Sequence, residues 1–148
     1  MTPLTPLPVV RLKVDRLKIA WMAVAITDPN PIHLEDAVAH QAGFPSVIAH
    51  GTFAIGLMGL LLTRWAGQQQ VRRVEARLLE PVFPGEELLC QGEVTGIEED
   101  EVQLRLQVLA GERQVAVGSA TVARPAAAGP PLEREVKAPL ASEPGPAL

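Results

Sequence analysis

The chain has 148 residues, with 13 Lys+Arg against 17 Asp+Glu and a formal net charge of -4, the size of one ordinary domain that can bury a core without disulfides or a structural metal. The acidic balance excludes the basic footprint of a phosphate-backbone binder, so no nucleic-acid partner is expected. A lone cysteine, Cys90, excludes an internal disulfide framework, and no C-x-x-C or H-E-x-x-H spacing offers a zinc site. No metal is expected, and the cysteine usage fits a reducing cytoplasm.

Residues 1–8 contain Pro3, Pro6 and Pro8 and read as an extended lead-in, without the basic-then-apolar order of a secretory signal. The domain proper is expected over residues 9–124. Asp15 suits a helix N-cap, and Leu17, Trp21, Met22, Val24 and Ala25 recur at helical spacing, which predicts a first helix with these side chains as its apolar stripe, ending near Thr27. Residues 35–41 predict a short helix closed by Gly43, with His40 on its exposed side. The segment "FAIGLMGLLL" at residues 53–62 is ten apolar residues long, where a membrane span needs about twenty. It predicts a buried helix running from His50-Gly51 to about Trp65.

Beyond it the pattern changes to alternation over residues 71–82, 86–98, 101–110 and 112–122, clearest in "VQLRLQVLA", and the short connections between them suit antiparallel strands. Pro84-Gly85 is a turn dipeptide. A helix apolar on all sides needs cover on all sides, which a curved antiparallel sheet wrapped around it supplies. That α+β arrangement is the hotdog fold. Gly56 and Gly59 weaken the helix by about 1 kcal/mol each, so their expected use is close approach of a strand backbone. The free edges of such a sheet predict a dimer. Residues 125–148, with six prolines, two glycines and six alanines, read as a disordered tail.

Chemistry concentrates in "DPNPIH", residues 28–33. On an α-helix Asp28 and His33 would point about 140° apart, and Pro29 and Pro31 forbid a helix by removing donors and pushing Asp28 and Asn30 toward extended backbone. A stiff irregular loop results, in which both side chains can turn to one point and the Asn30 amide satisfies free backbone groups. Taken alone, the hexapeptide also fits an ordinary turn. The second segment, "IAHGT", puts Gly51 at the start of the buried helix, where backbone N–H groups lack intrahelical partners and an oxyanion can be held. An acid/base loop beside a donor-rich helix start is what chemistry at a thioester carbonyl requires.

Together "DPNPIHLED" and "AGFPSVIAHGTFAIGLMG" resemble the signature of the MaoC-like family of (R)-specific enoyl-CoA hydratases and (3R)-hydroxyacyl-ACP dehydratases, over residues 18–122 and including the "EPVFPGEEL" turn. The resemblance implies a hydro-lyase acting on acyl-CoA or acyl carrier protein thioesters without any cofactor, with Asp28 and His33 as catalytic dyad and Gly51 as oxyanion donor. Asn30 and Pro31 then shape the loop, and His50 supports the helix start. One departure is Ile26-Thr27, where the family often has Ser-Gly. "GTFAIGLMGLLLTRWAG" is similar to catalytic subunits of heteromeric dehydratases, so the partner is a second copy or a different hotdog subunit. Arg64, Arg72, Arg73 and Arg77 offer charge to a substrate phosphate or an acidic carrier, or form a solvated face. Trp21 and Trp65 read as core or interface anchors. The rival readings are a hotdog thioesterase and a non-catalytic partner subunit; the paired Asp28 and His33 argue against both.

Overall fold

The computed structural model describes residues 6–124. The expected tail at residues 125–148, and residues 1–5 of the lead-in, lie outside them. In chain order the elements are strand β1 (Val10–Lys13), helix α1 (Arg16–Ala25), a 3-10 turn (Pro31–His33), helix α2 (Asp36–Gln41), helix α3 (Thr52–Ala66), a second 3-10 turn (Gln68–Gln70), then β2 (Val71–Leu78), β3 (Glu87–Ile97), β4 (Glu101–Ala110) and β5 (Arg113–Ala123). All pairings are antiparallel, in the order β1-β3-β4-β5-β2. No helix among the described residues is long and apolar enough to cross a membrane.

The sheet curls around α3, which touches all five strands: this is the hotdog fold. Helix α3 buries Phe53, Ala54, Leu57, Met58, Leu61 and Leu62 against the inward row of β4, Val102, Leu104, Leu106 and Val108, while Gln103 and Arg105 face out. Period two in the strand and about 3.6 in the helix meet in one apolar core. Gly67, at φ +90, ends the helix. Across the 83–86 turn Gly85 takes φ +94, and the Glu86 N–H donates to the Phe83 carbonyl at 3.2 Å.

Four expectations need correction. Strand β1 has no counterpart among the expected elements; its four residues carry little pattern, and its identity comes from pairing with β3, Val10 opposite Cys90. Strand β2 stops at Leu78, because residues beyond it form a connection clamped by Arg113, whose guanidinium donates to Glu80, Glu86 and the Pro81 carbonyl. On α1 the inward residues are Ile19 and Ala23, and three members of the expected stripe, Leu17, Trp21 and Val24, are more than half exposed. Finally, a Cβ on Gly56 or Gly59 would meet nothing within 4 Å, so neither serves close approach. They lie on the face of α3 that the sheet leaves open, beside exposed Ile55. The close approaches are made from the strands, at Gly92 and Gly118.

Candidate active site

Helix α1 delivers Asp28. Asp15 caps the helix start by accepting from the Lys18 N–H. At the other end the Asp28 N–H donates to the Ala23 carbonyl at 2.9 Å and the Thr27 N–H to the Val24 carbonyl at 3.2 Å, the paired bonds of a Schellman motif. That motif needs a left-handed residue, here Thr27 at φ +54, a conformation that costs a β-branched side chain about 1–2 kcal/mol. Thr27→Gly is therefore expected to stabilise the fold by about 1 kcal/mol without moving Asp28. Chemical denaturation checks this, and a loss of stability would show that the Thr27 side chain contributes more than the strain costs.

The two prolines do not leave the segment wholly irregular: Pro31 sits at the first position of a 3-10 turn, capped by Asn30 Oδ1, which accepts from the Ile32 N–H at 3.1 Å. His33 leaves this turn with its side chain only 11% exposed. Its Nδ1 lies 2.7 Å from the Ile48 carbonyl, and a carbonyl only accepts, so in the neutral ring Nδ1 carries the hydrogen and Nε2 presents a lone pair. That Nε2 is 3.8 Å from Asp28 Oδ2, too far for a direct hydrogen bond and a span suited to one shared water.

The second segment is held by residues that its own sequence does not announce. Asp36, at the start of α2, accepts from the Val47 N–H at 3.0 Å and, through Oδ1 and Oδ2, from Arg16 Nη2 at 2.9 and 2.8 Å. Residues 47–48 are thereby fixed, and with them the carbonyl that orients His33. The Ala49 N–H donates to the Val82 carbonyl at 2.8 Å. His50 follows, 2% exposed at its side chain, with Nε2 3.0 Å from the Asp28 carbonyl and 4.0 Å from Asp28 Oδ2. Its ring stacks on His33, centroids 3.7 Å apart.

Gly51 comes next, as the N-cap of α3, at φ -59. That backbone suits any residue; a Cβ there would lie 2.1 Å from Leu78 Cδ1 at the end of β2, so the tip of that side chain would have to turn away. Among the described residues no acceptor takes the Gly51 N–H. Thr52 does not cap the helix; its hydroxyl is buried without a partner among the described residues.

Electrostatics follow the same contacts. The Arg16 guanidinium, then the Val47 N–H, hold the Asp36 carboxyl below the ordinary 3.8. A carboxylate held down in the folded state adds stability that is full above its unfolded value and is lost as pH falls through the folded one. Relative to Asp36→Asn, the wild-type advantage is therefore expected to be constant above about pH 5 and to shrink below 3.8. Denaturation of both proteins across pH measures it, and an advantage that persists at acid pH would contradict the clamp.

The structure thus gathers Asp28, His33 and His50, whose ligand atoms lie within 4.8 Å of one another, and puts Asn30, Pro31 and Gly51 beside them. The three could count as metal ligands, but His50 Nε2 is engaged by the Asp28 carbonyl and its Nδ1 is buried. Only one imidazole and one carboxylate remain free, fewer than the three protein ligands of a catalytic zinc site. Arg64, Arg72 and Arg73 are not gathered there. Arg64 lies near the far end of α3, roughly 20 Å along its axis from Gly51; Arg72 and Arg73 begin β2, whose opposite end touches Gly51, and Arg73 pairs with Glu75. His40 is exposed, near the Pro45 carbonyl. Trp65 packs against the core. Sequence reading missed Thr27, Asp36 and Leu78; only the left-handed position had a signal, the helix ending just before it.

The family described as "MaoC like domain" matches residues 4–116. An (R)-specific enoyl-CoA hydratase of Aeromonas caviae is 33% identical over 86 residues, 57% of this chain and 64% of that protein. A 3-hydroxyacyl-thioester dehydratase Y of Mycobacterium tuberculosis is 40% identical over 65 residues, 41% of this chain and 22% of that protein. Both matches span less than two thirds of the relative. Among solved structures, an (R)-hydratase from A. caviae involved in PHA biosynthesis superposes with TM-score 0.70 at 26% identity, over 82% of this chain and 98% of that one. The ChsH1-ChsH2 complex from M. tuberculosis has a chain with TM-score 0.74 at 21% identity, over 83% and 98%, a likeness of fold.

Proposed function

Because this chain belongs to the MaoC-like dehydratase family, we propose that it is a hydro-lyase that reversibly hydrates 2-enoyl thioesters and dehydrates (3R)-3-hydroxyacyl thioesters. The observation that carries this is His33 Nε2, with Nδ1 engaged by the Ile48 carbonyl, facing the Asp28 carboxylate at 3.8 Å, with a helix start alongside.

In the hydration direction, Asp28 and His33 bind one water. His33 Nε2 takes a proton from it as its oxygen attacks C3, the C2=C3 electron pair moves toward the thioester oxygen, and the Gly51 N–H stabilises that charge. The imidazolium, beside the Asp28 carboxylate, then returns a proton to C2. Water has added across the double bond, with no change of oxidation state. No electron-transfer cofactor is needed, and we assign no metal.

A thioesterase working through a cysteine is unsupported: Cys90 is wholly buried, and burial pushes its thiol up to about 11. For the partner, β2 is a free sheet edge and Ile55 and Gly56 are open beside it on α3, so we propose that a second hotdog subunit, a copy or a different chain, covers both. The solution mass of the protein expressed alone decides between these. Arg64, Arg72 and Arg73 are too far from the dyad to touch the thioester, and only the far end of a long carrier, CoA or carrier protein, could meet them. A reducing cytoplasm is the compartment we propose.

Crotonyl-CoA tests the reaction class. Loss of the enoyl chromophore without release of thiol is expected. Thiol release would identify a thioesterase, and inactivity with CoA and carrier-protein thioesters of several lengths would identify a scaffold subunit.

A further inference from the structure

We propose that His50 is a positioning residue, whose imidazole, held in one neutral tautomer, sets Asp28 and His33 at their working separation; this rests on the hydro-lyase reading above. The carbonyl of Asp28 lies 3.0 Å from His50 Nε2, so that nitrogen carries the hydrogen. His33 is the opposite tautomer, its hydrogen on Nδ1 and directed to the Ile48 carbonyl. Two stacked rings, 25° from parallel, therefore turn unlike nitrogens toward Asp28 Oδ2: an N–H from His50 at 4.0 Å and a lone pair from His33 at 3.8 Å.

Each contact constrains one dyad member. The hydrogen bond to the Asp28 carbonyl fixes the residue just before Pro29, where the chain leaves helix α1. The stack fixes the plane of the His33 ring, which its single bond to Ile48 would leave free to rock about the Nδ1–carbonyl line. His50 also joins the loop to the helix start directly, since Gly51 is its chain neighbour. Fold stability gives little net reason for an imidazole there, because its one hydrogen bond, to the Asp28 carbonyl, is set against an unsatisfied nitrogen. His50 Nδ1 is buried without a hydrogen-bond partner among the described residues, and an apolar ring of similar shape would avoid that unsatisfied group. A local rule broken beside the dyad is expected where position matters more than stability.

Two variants separate the contacts: His50→Phe keeps a stacking ring and removes the donor, whereas His50→Gln keeps a donor and removes the ring. His50→Phe trades the unsatisfied Nδ1 for an Asp28 carbonyl without its donor, so its melting temperature is expected to stay near the wild-type value, with KM nearly unchanged and kcat reduced by about 10- to 100-fold, the range that a small misplacement of reacting groups produces. His50→Gln should recover part of the kcat lost in His50→Phe. Two-bond 15N–1H correlations of the side chains add a readout independent of turnover. In the wild type His50 should be protonated on Nε2 and His33 on Nδ1, and in His50→Phe the His33 pattern should become an average of the two forms. Wild-type kcat in His50→Phe, or a His33 pattern unchanged by it, would overturn the proposal. Asp28→Asn measured in parallel distinguishes the failures. If it too keeps full activity, the dyad assignment has failed while hydration stands, and the 15N pattern alone still decides the role of His50; if the wild type hydrates no enoyl thioester, the hydro-lyase reading itself has failed.

Discussion

Asp28→Asn and His33→Gln are each expected to lower kcat for enoyl thioester hydration by about 10²- to 10⁴-fold, the range that a positioned acid/base contributes. Asparagine keeps the shape of Asp28, its capping bond to Ala23 through the backbone and the His50 contact at the Asp28 carbonyl, while removing the carboxylate that faces His33 at 3.8 Å. Glutamine removes the Nε2 lone pair. On the proposal that the two groups act on one water, the double variant should be little worse than the worse single variant, as for residues that work as a unit. Neither side chain is part of the apolar core, so circular dichroism and melting should change little. Steady-state rates on crotonyl-CoA measure the effect; full activity in either single variant would end the dyad assignment.

Gly118→Ala should cost about 1–3 kcal/mol of stability, the usual penalty for overpacking a tight contact. Gly118 stands opposite Ala76 where β5 pairs with β2. A Cβ there would lie 2.6 Å from the Glu75 carbonyl oxygen and 2.8 Å from Met58 Sδ. The Met58 side chain can shift, but a backbone oxygen in the sheet cannot turn away, so β2 or α3 must move outward. Gly56→Ala, by contrast, adds a methyl where nothing lies within 4 Å and gains helix propensity of about 1 kcal/mol. The isolated subunit should therefore respond to the two substitutions with opposite signs. Denaturation midpoints test the pair, and a neutral Gly118→Ala would contradict the packing of α3 on the sheet described here.

What could be read from the sequence was what local chemistry determines. The prolines and Asn30 act within a few residues, so the bend that turns Asp28 and His33 together was legible, although its 3-10 turn was not. The cap at Asp15, the end of α3 near Trp65 and the alternation in β4 were legible for the same reason. What escaped depends on partners distant in sequence. Nothing within "VRLK" announces its pairing with Cys90 and its neighbours. The glycines of α3 and of β5 look equally fit for close contact until Glu75 and Met58 are seen against Gly118. On α1, Leu17, Trp21 and Val24 outnumber Ile19 and Ala23 as apolar residues, yet the smaller set faces the core, a choice that depends on tertiary packing and has no sign within the helix itself. Asp36 has the same origin: its clamp on Val47 spans eleven residues and has no local sign.

The central claim is that Asp28 and His33 add one water at C3 of an enoyl thioester. Its most direct measurement is turnover of crotonyl-CoA in 18O-labelled water, followed by mass spectrometry of the products. The account predicts an intact 3-hydroxyacyl-CoA carrying one solvent oxygen at C3, formed by the wild type and lost in Asp28→Asn. Label found in a free carboxylic acid, with CoA released, or hydration that continues unchanged without Asp28, would contradict it.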